Sequence, residues 1–153
     1  MKVLRLLFVT ACGFGLCLSA LAQEVQESFS GSGGTLTAPT TLGQYITVTG
    51  VHLTNGQTAI VNCQVTLFGA STYEWGWRCG NGAVFVNGTK VATVSGTMKL
   101  TCSGGGRVRA STCWHVFSGT AIDSDSDVGS VTISAKGGSN NAPGSVTAFS
   151  ATW

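Results

Sequence analysis

Charge is scarce in this chain: Asp, Glu, Lys and Arg make up only 9% of its 153 residues. So few ionic groups leave little long-range field with which to steer an ion or a polyanion. Histidine is scarcer still. His52 and His115 are the only two, which leaves few candidates for a general base. No G-x-S-x-G elbow occurs, and no strand–turn–helix pattern exists to carry one. No C-x-x-C pair occurs, which argues against a structural zinc site. Beyond the N-terminal leader no window of about eleven residues carries a helical period, and no repeat of fixed period is visible. These absences direct attention to strands, turns and exposed side chains.

The N-terminus reads as a secretory leader. Met1-Lys2-Val3-Leu4-Arg5 places two positive charges before the apolar run Leu6 to Leu21. Ala20-Leu21-Ala22 then supplies the small-x-small exit, so cleavage is expected after Ala22. The apolar run falls short of the ~20 residues of a spanning helix. A lipid-attachment reading of Val9-Thr10-Ala11-Cys12 would leave an unusually short apolar segment broken by Arg5. Loss of Lys2 and Arg5 with the leader leaves Arg78, Lys90, Lys99, Arg107, Arg109 and Lys136. These are balanced by Glu24, Glu27, Glu74, Asp123, Asp125 and Asp127. A neutral mature domain gives no footprint for nucleic acid. A sparsely charged surface rich in Ser, Thr and Gly instead favours association. The product is expected in the periplasm, on the cell surface or in the medium.

Cys12 and Cys17 leave with the leader, and Cys63, Cys79, Cys102 and Cys113 remain. An even number in an exported protein implies two disulfides, for which sequence permits three connectivities. The shortest closures are Cys63–Cys79 and Cys102–Cys113. By chain-entropy reasoning each is worth about 3 kcal/mol. They are expected to hold pleated layers together.

Three segments follow: residues 1–22 as signal peptide, 23–41 as a Gly/Ser/Thr-rich arm, and 42–153 as a β-domain. Within the arm, Gly31-Ser32-Gly33-Gly34 reads as a flexible spacer. Phe29, Leu36 and an edge strand around Thr35 to Ala38 are what would tie it down, a mobile tail being the alternative. Beyond it the pattern has period two. Val61, Cys63, Val65 and Leu67 share one strand face, and Asn62, Gln64 and Thr66 the other. Ala83–Val86 meets Lys90–Val94 across Asn87-Gly88, a strong hairpin signal. Met98, Leu100 and Cys102 alternate with Thr97, Lys99 and Thr101. Arg107 to Phe117 reads as the return strand after Gly104–Gly106, and strands are also expected around Val131–Ile133 and over Ser145–Trp153. The expected fold is a single-domain, all-β, antiparallel β-sandwich or small barrel.

Two clusters stand out as candidate sites. Tyr73, Trp75 and Trp77 share a strand face at intervals of about 7 Å, suited to stacking on successive sugar rings. Cys79 has the same parity, however, and a disulfide cysteine pointing inward would draw those rings into the core. Trp114 has opposite parity to Cys113 and is the better candidate for an exposed ring. Asp123, Asp125 and Asp127 match the opening of an EF-hand calcium loop. The match then fails, with Val128 where the sharp turn wants Gly and Ser134 where the bidentate Glu belongs. A solvated acidic turn is the plain alternative. A Ser-His-Asp assembly of His115 with Asp123 has no spacing to favour it over a structural histidine. Asn87-Gly88-Thr89 is a glycosylation sequon in a eukaryotic host. Arg107 and Arg109 flank Val108 beside the glycine loop, where they either grip an anion or form an ordinary solvated hairpin.

Ile60-Val61-Asn62-Cys63-Gln64-Val65-Thr66 resembles the early cysteine strand of small secreted activator proteins associated with alkane oxidation and biofilm matrix. Ser145–Trp153 is similar to the alternating last strand of chaperone–usher pilins. Each resemblance covers one strand, and neither carries a site residue across. The expected function is non-catalytic: surface adhesion or matrix assembly, with glycans, matrix components or further copies of the chain as partners. The alternatives are a carbohydrate-binding module using its tryptophans and a small hydrolase or enzyme inhibitor. No cofactor is expected other than calcium at the aspartates.

Overall fold

The computed structural model describes residues 26–70, 74–103, 112–137 and 143–153. The segment expected to be a leader, Tyr73, Arg107 and Arg109 lie outside these residues. The described residues form nine strands: β1 (Ser28–Ser32), β2 (Thr35–Thr37), β3 (Tyr45–Leu53), β4 (Thr58–Ala70), β5 (Glu74–Val86), β6 (Thr89–Ser103), β7 (Thr112–Asp123), β8 (Val128–Gly137) and β9 (Gly144–Thr152). From β3 to β9 each strand pairs antiparallel with the next. β1 and β2 share the place between β9 and β3, each pairing with both. The result is a closed antiparallel barrel of eight strand positions. Of the two architectures left open by the sequence, the chain forms the barrel.

Alternation explains the wall. In β6, Ala92, Val94, Met98 and Leu100 are buried while Thr93, Ser95, Thr97 and Lys99 are exposed. In β7, Cys113, His115, Phe117 and Ala121 face in. Side chains such as Leu36, Met98, Phe117 and Ile133 fill the interior as one continuous core, each contributing about 1.5–3 kcal/mol by burial. A membrane-spanning barrel has the reverse pattern, an apolar band outside and polar groups within. Among the described residues no helix is long and apolar enough to cross a membrane. With the two disulfides below, this is compatible with a periplasmic or extracellular location.

The glycine-rich stretch expected to be a spacer is instead a corner in the wall. Gly33 and Gly34 have φ of 81° and 79°. Their backbones keep pairing with β9, through Gly33 N–H to Val146 O at 2.9 Å and Val146 N–H to Gly34 O at 3.1 Å. A Cβ on Gly34 would lie 2.1 Å from Thr49 O, so no larger residue fits. Leu36 in β2 is fully buried. The barrel is then clasped at its ends: Glu27 N–H donates to Trp153 O at 2.8 Å, Trp153 N–H to Glu27 O at 3.1 Å. The Trp153 ring packs 5.3 Å from Phe29.

Both disulfides have the short-closure pairing, Cys63–Cys79 and Cys102–Cys113. They do not tie separate layers together. Each joins neighbouring strands of one continuous sheet, β4 to β5 and β6 to β7. In a meander, residues close in sequence sit on adjacent strands, so short-range cysteines meet side by side. The Asn87-Gly88 hairpin forms as expected, with φ of 49° and 79°. Asn87 Oδ1 also accepts from Thr58 N–H at 2.9 Å, which fastens this turn to β4.

Candidate functional site

The tryptophans separate. Trp77 is only 3% exposed. Its Nε1–H donates to Pro39 O at 2.6 Å, and its ring lies 5.6 Å from that of Phe68. It has the parity of buried Cys79, as inward cysteines require, and so has no free face to offer a sugar. Of Trp75 the structure describes the backbone, which pairs with Ala70 and Leu100. Trp114 is 41% exposed, in line with its parity opposite to Cys113, and Lys136 Nζ stands 6.0 Å from its ring centroid. Trp114 and Trp77 thus lie on opposite sides of the wall.

The three aspartates do come together. In the β7–β8 turn, Asp123, Asp125 and Asp127 place carboxylate oxygens within 4.8 Å of one another. Protein groups already organise this turn. Asp123 Oδ1 accepts from the N–H of Asp125 at 2.8 Å and of Asp127 at 2.9 Å, while Asp123 N–H donates to Asp127 O at 3.1 Å. Calcium takes about 6–8 oxygens, of which this cluster offers a partial set.

Among the described residues the histidines stand apart from one another and from Asp123. His115 is 1% exposed, and neither ring nitrogen has a hydrogen-bond partner among the described residues. Burial disfavours the charged imidazolium and lowers its pKa below the ordinary value,. Asp123 lies on the same strand eight residues on, a separation of about 27 Å at the rise of an extended strand. His52 is exposed on β3, where its backbone pairs with Thr58.

The structure also forms a site that the tryptophans had overshadowed. Outward-facing Tyr45, Thr47, Asn62, Asn81, Ala83 and Phe85 line an open groove of about 490 Å³ across β3, β4 and β5. Thr47, Asn62 and Ala83 pair in one row and form its floor. A bulge in β5 makes the concavity. Gly80 and Ala83 face Gln64 and Asn62, and Cys79 and Gly82 face Gly96 and Val94. On both sides β5 thus has one residue too many. Asn81 absorbs the excess at φ 51°, a left-handed conformation that Asn tolerates better than most residues. Gly82 is obligatory beside it, since a Cβ would lie 2.6 Å from Asn62 O and 2.8 Å from Val94 O. A bulge re-aims side chains, and here it leaves Asn81 exposed. The signal was present as Gly80-Asn81-Gly82, two glycines inside an alternating strand.

No family model, curated protein or solved structure matches the chain. The functional reading therefore rests on this geometry.

Proposed function

We propose that this protein is a non-catalytic, exported β-barrel domain that acts by contact, in surface adhesion or extracellular matrix assembly. The observation that carries this reading is the division of labour between its interior and its outer wall. The interior is filled by side chains. The outer wall bears exposed apolar groups, among them Tyr45, Leu67, Trp114, Val116 and Ile122, on a background of Ser and Thr. Exposed apolar groups on a wall with little charge favour association. Glycans, other matrix components and further copies of the chain are partners of the right chemistry, and nucleic acid is not. The reading requires no cofactor. Calcium at Asp123, Asp125 and Asp127 is an accessory ion the reading accommodates, adding little to a turn that protein hydrogen bonds already organise.

A carbohydrate-binding module is the second reading, favoured by the exposed ring of Trp114 beside Lys136. The test is sedimentation velocity of the mature protein over a wide concentration range, paired with retention on the surface of producing cells. Concentration-dependent association or retention, weakened by Trp114→Ser with Val116→Ser, is the expected result. A strictly monomeric protein that washes off cells would remove the reading.

A further inference from the structure

We propose that the groove across β3, β4 and β5 binds a neutral oligosaccharide, with Tyr45 and Phe85 packing on sugar rings and the carboxamides of Asn62 and Asn81 bonding sugar hydroxyls. The inference rests on the contact reading above and names the ligand of one part of the wall. It does not use the tryptophans.

The chemistry of the lining carries it. Among the described residues no charged side chain lines the groove; two aromatic rings, two carboxamides and the hydroxyls of Tyr45 and Thr47 do. A carboxamide offers both a donor and an acceptor, which matches the paired hydroxyls of a polyol. An aromatic face supplies the apolar contact for the C–H side of a sugar ring. Among the described residues neither carboxamide has a hydrogen-bond partner within the protein, so both are free to bond a ligand. The volume of about 490 Å³ lies within the roughly 300–1,000 Å³ of small-molecule sites.

Spacing indicates a chain of sugars over a single one. Tyr45 pairs with Gln64, and Phe85 pairs with Ile60. The two rings are therefore four β4 residues apart, about 14 Å along the strand. They are too distant to clamp one ring, and each is free to take its own along an open groove. Asn81 stands between these ends through the β5 bulge, a left-handed position fixed by Gly82. Backbone held in a sparsely populated region is characteristic of binding sites.

Other occupants fit less well. A peptide adding as a strand needs an open sheet edge, and this wall is closed. A nucleic acid needs cations, which the lining lacks. An acyl chain would leave the Asn62 and Asn81 carboxamides desolvated and unbonded.

The test is a titration of the ¹⁵N-labelled mature protein with soluble neutral hexasaccharides: β-1,4-glucan, β-1,3-glucan, α-1,4-glucan, β-1,4-mannan and chitohexaose. Saturable amide shifts at Asn62, Asn81, Ala83 and Phe85 with at least one of them are expected. Tyr45→Ala, at an exposed position, is expected to weaken binding about tenfold, the equivalent of ~1.4 kcal/mol. Asn81→Gly keeps the left-handed backbone and removes only the carboxamide, and it is expected to weaken binding several-fold. Thr132→Ala, at an exposed position on β8, is expected to bind as the parent does. No shift with any of the five sugars, shifts centred on Trp114, or parental affinity in both groove variants would overturn the proposal. Sedimentation and cell retention on the same samples separate the two readings. Association that persists without sugar binding removes the saccharide site alone, and loss of both removes the contact reading as well.

Discussion

The two halves of the barrel wall are built by different rules. From Ala92–Asp123 to Ser103–Thr112, β6 and β7 pair without a slip, and β7 and β8 continue in unbroken register from Cys113–Gly137 to Ile122–Val128. The pairing of β3, β4 and β5 slips repeatedly, after Val48, after Asn62 and after Val65, that of β5 with β6 slips after Cys79 and after Val84, and that of β8 with β9 slips once, after Ser134. Regular pairing yields a smooth wall whose alternate residues face in and out. Slipped pairing yields a concavity, a left-handed Asn and an obligatory Gly. Stability can come from either half, but a shaped surface comes from the irregular one. A disulfide accompanies each. Cys63–Cys79 sits at the slip itself, and Cys102–Cys113 closes the end of the regular ladder.

The largest effect is expected at Gly82. Gly82→Ala drives a methyl against two backbone carbonyls and is expected to cost about 3 kcal/mol. Gly76→Ala, where nothing lies within 4 Å, is expected to cost under ~0.5 kcal/mol. Urea unfolding of both variants checks this, and equal midpoints would show that the bulge relaxes freely. Next in size are the disulfides. Replacing Cys63 and Cys79 together by Ala is expected to cost about 3 kcal/mol, and replacing Cys102 and Cys113 slightly less. The order follows sequence separations of 16 and 11, and thermal melts of the two variants would reverse it if the regular ladder depends more on its bridge.

Two smaller effects sharpen the picture of the regular half. Asp123→Ala removes an acceptor shared by two N–H groups and is expected to cost about 1.5–3 kcal/mol. Because those bonds already organise the turn, chelation with EDTA is expected to leave the melting temperature unchanged. A fall of several degrees on chelation would establish calcium at the aspartates. At His115 the folded-state pKa is depressed by burial, so the unfolded chain takes up this proton first. Stability is then expected to hold above the unfolded value of ~6.5 and to fall as pH drops below it. His115→Phe is expected to flatten that limb, as read by urea midpoints between pH 7.5 and 5. A parallel loss in parent and variant would assign the acid sensitivity elsewhere.

Much of the fold was legible from particular residues. The Met98–Leu100–Cys102 face, the Asn87-Gly88 turn and the two short cysteine spacings all correspond to what the structure contains. These signals are local, since a two-residue period, a left-handed pair and a short loop each act within about fifteen residues. Candidate-site residues were legible where parity alone decides exposure: Trp114 outside opposite Cys113, and Trp77 inside with Cys79. The groove was hidden because Tyr45, Asn62 and Phe85 are separated in sequence and become neighbours only through register.

Local sequence signals sufficed for the strand pattern of the described residues, the four pairing cysteines and a hydroxyl-rich exterior with few charges. Period two selects the pleat and sparse charge limits the surface. Closure of the barrel, by contrast, came from long-range pairing. β1 and β2 reach both β9 and β3 across nearly the whole chain, and the slip at Asn81 sets which side chains gather beneath it. Both depend on pairing between distant segments, whose free energy belongs to the assembled sheet and to no single window of residues.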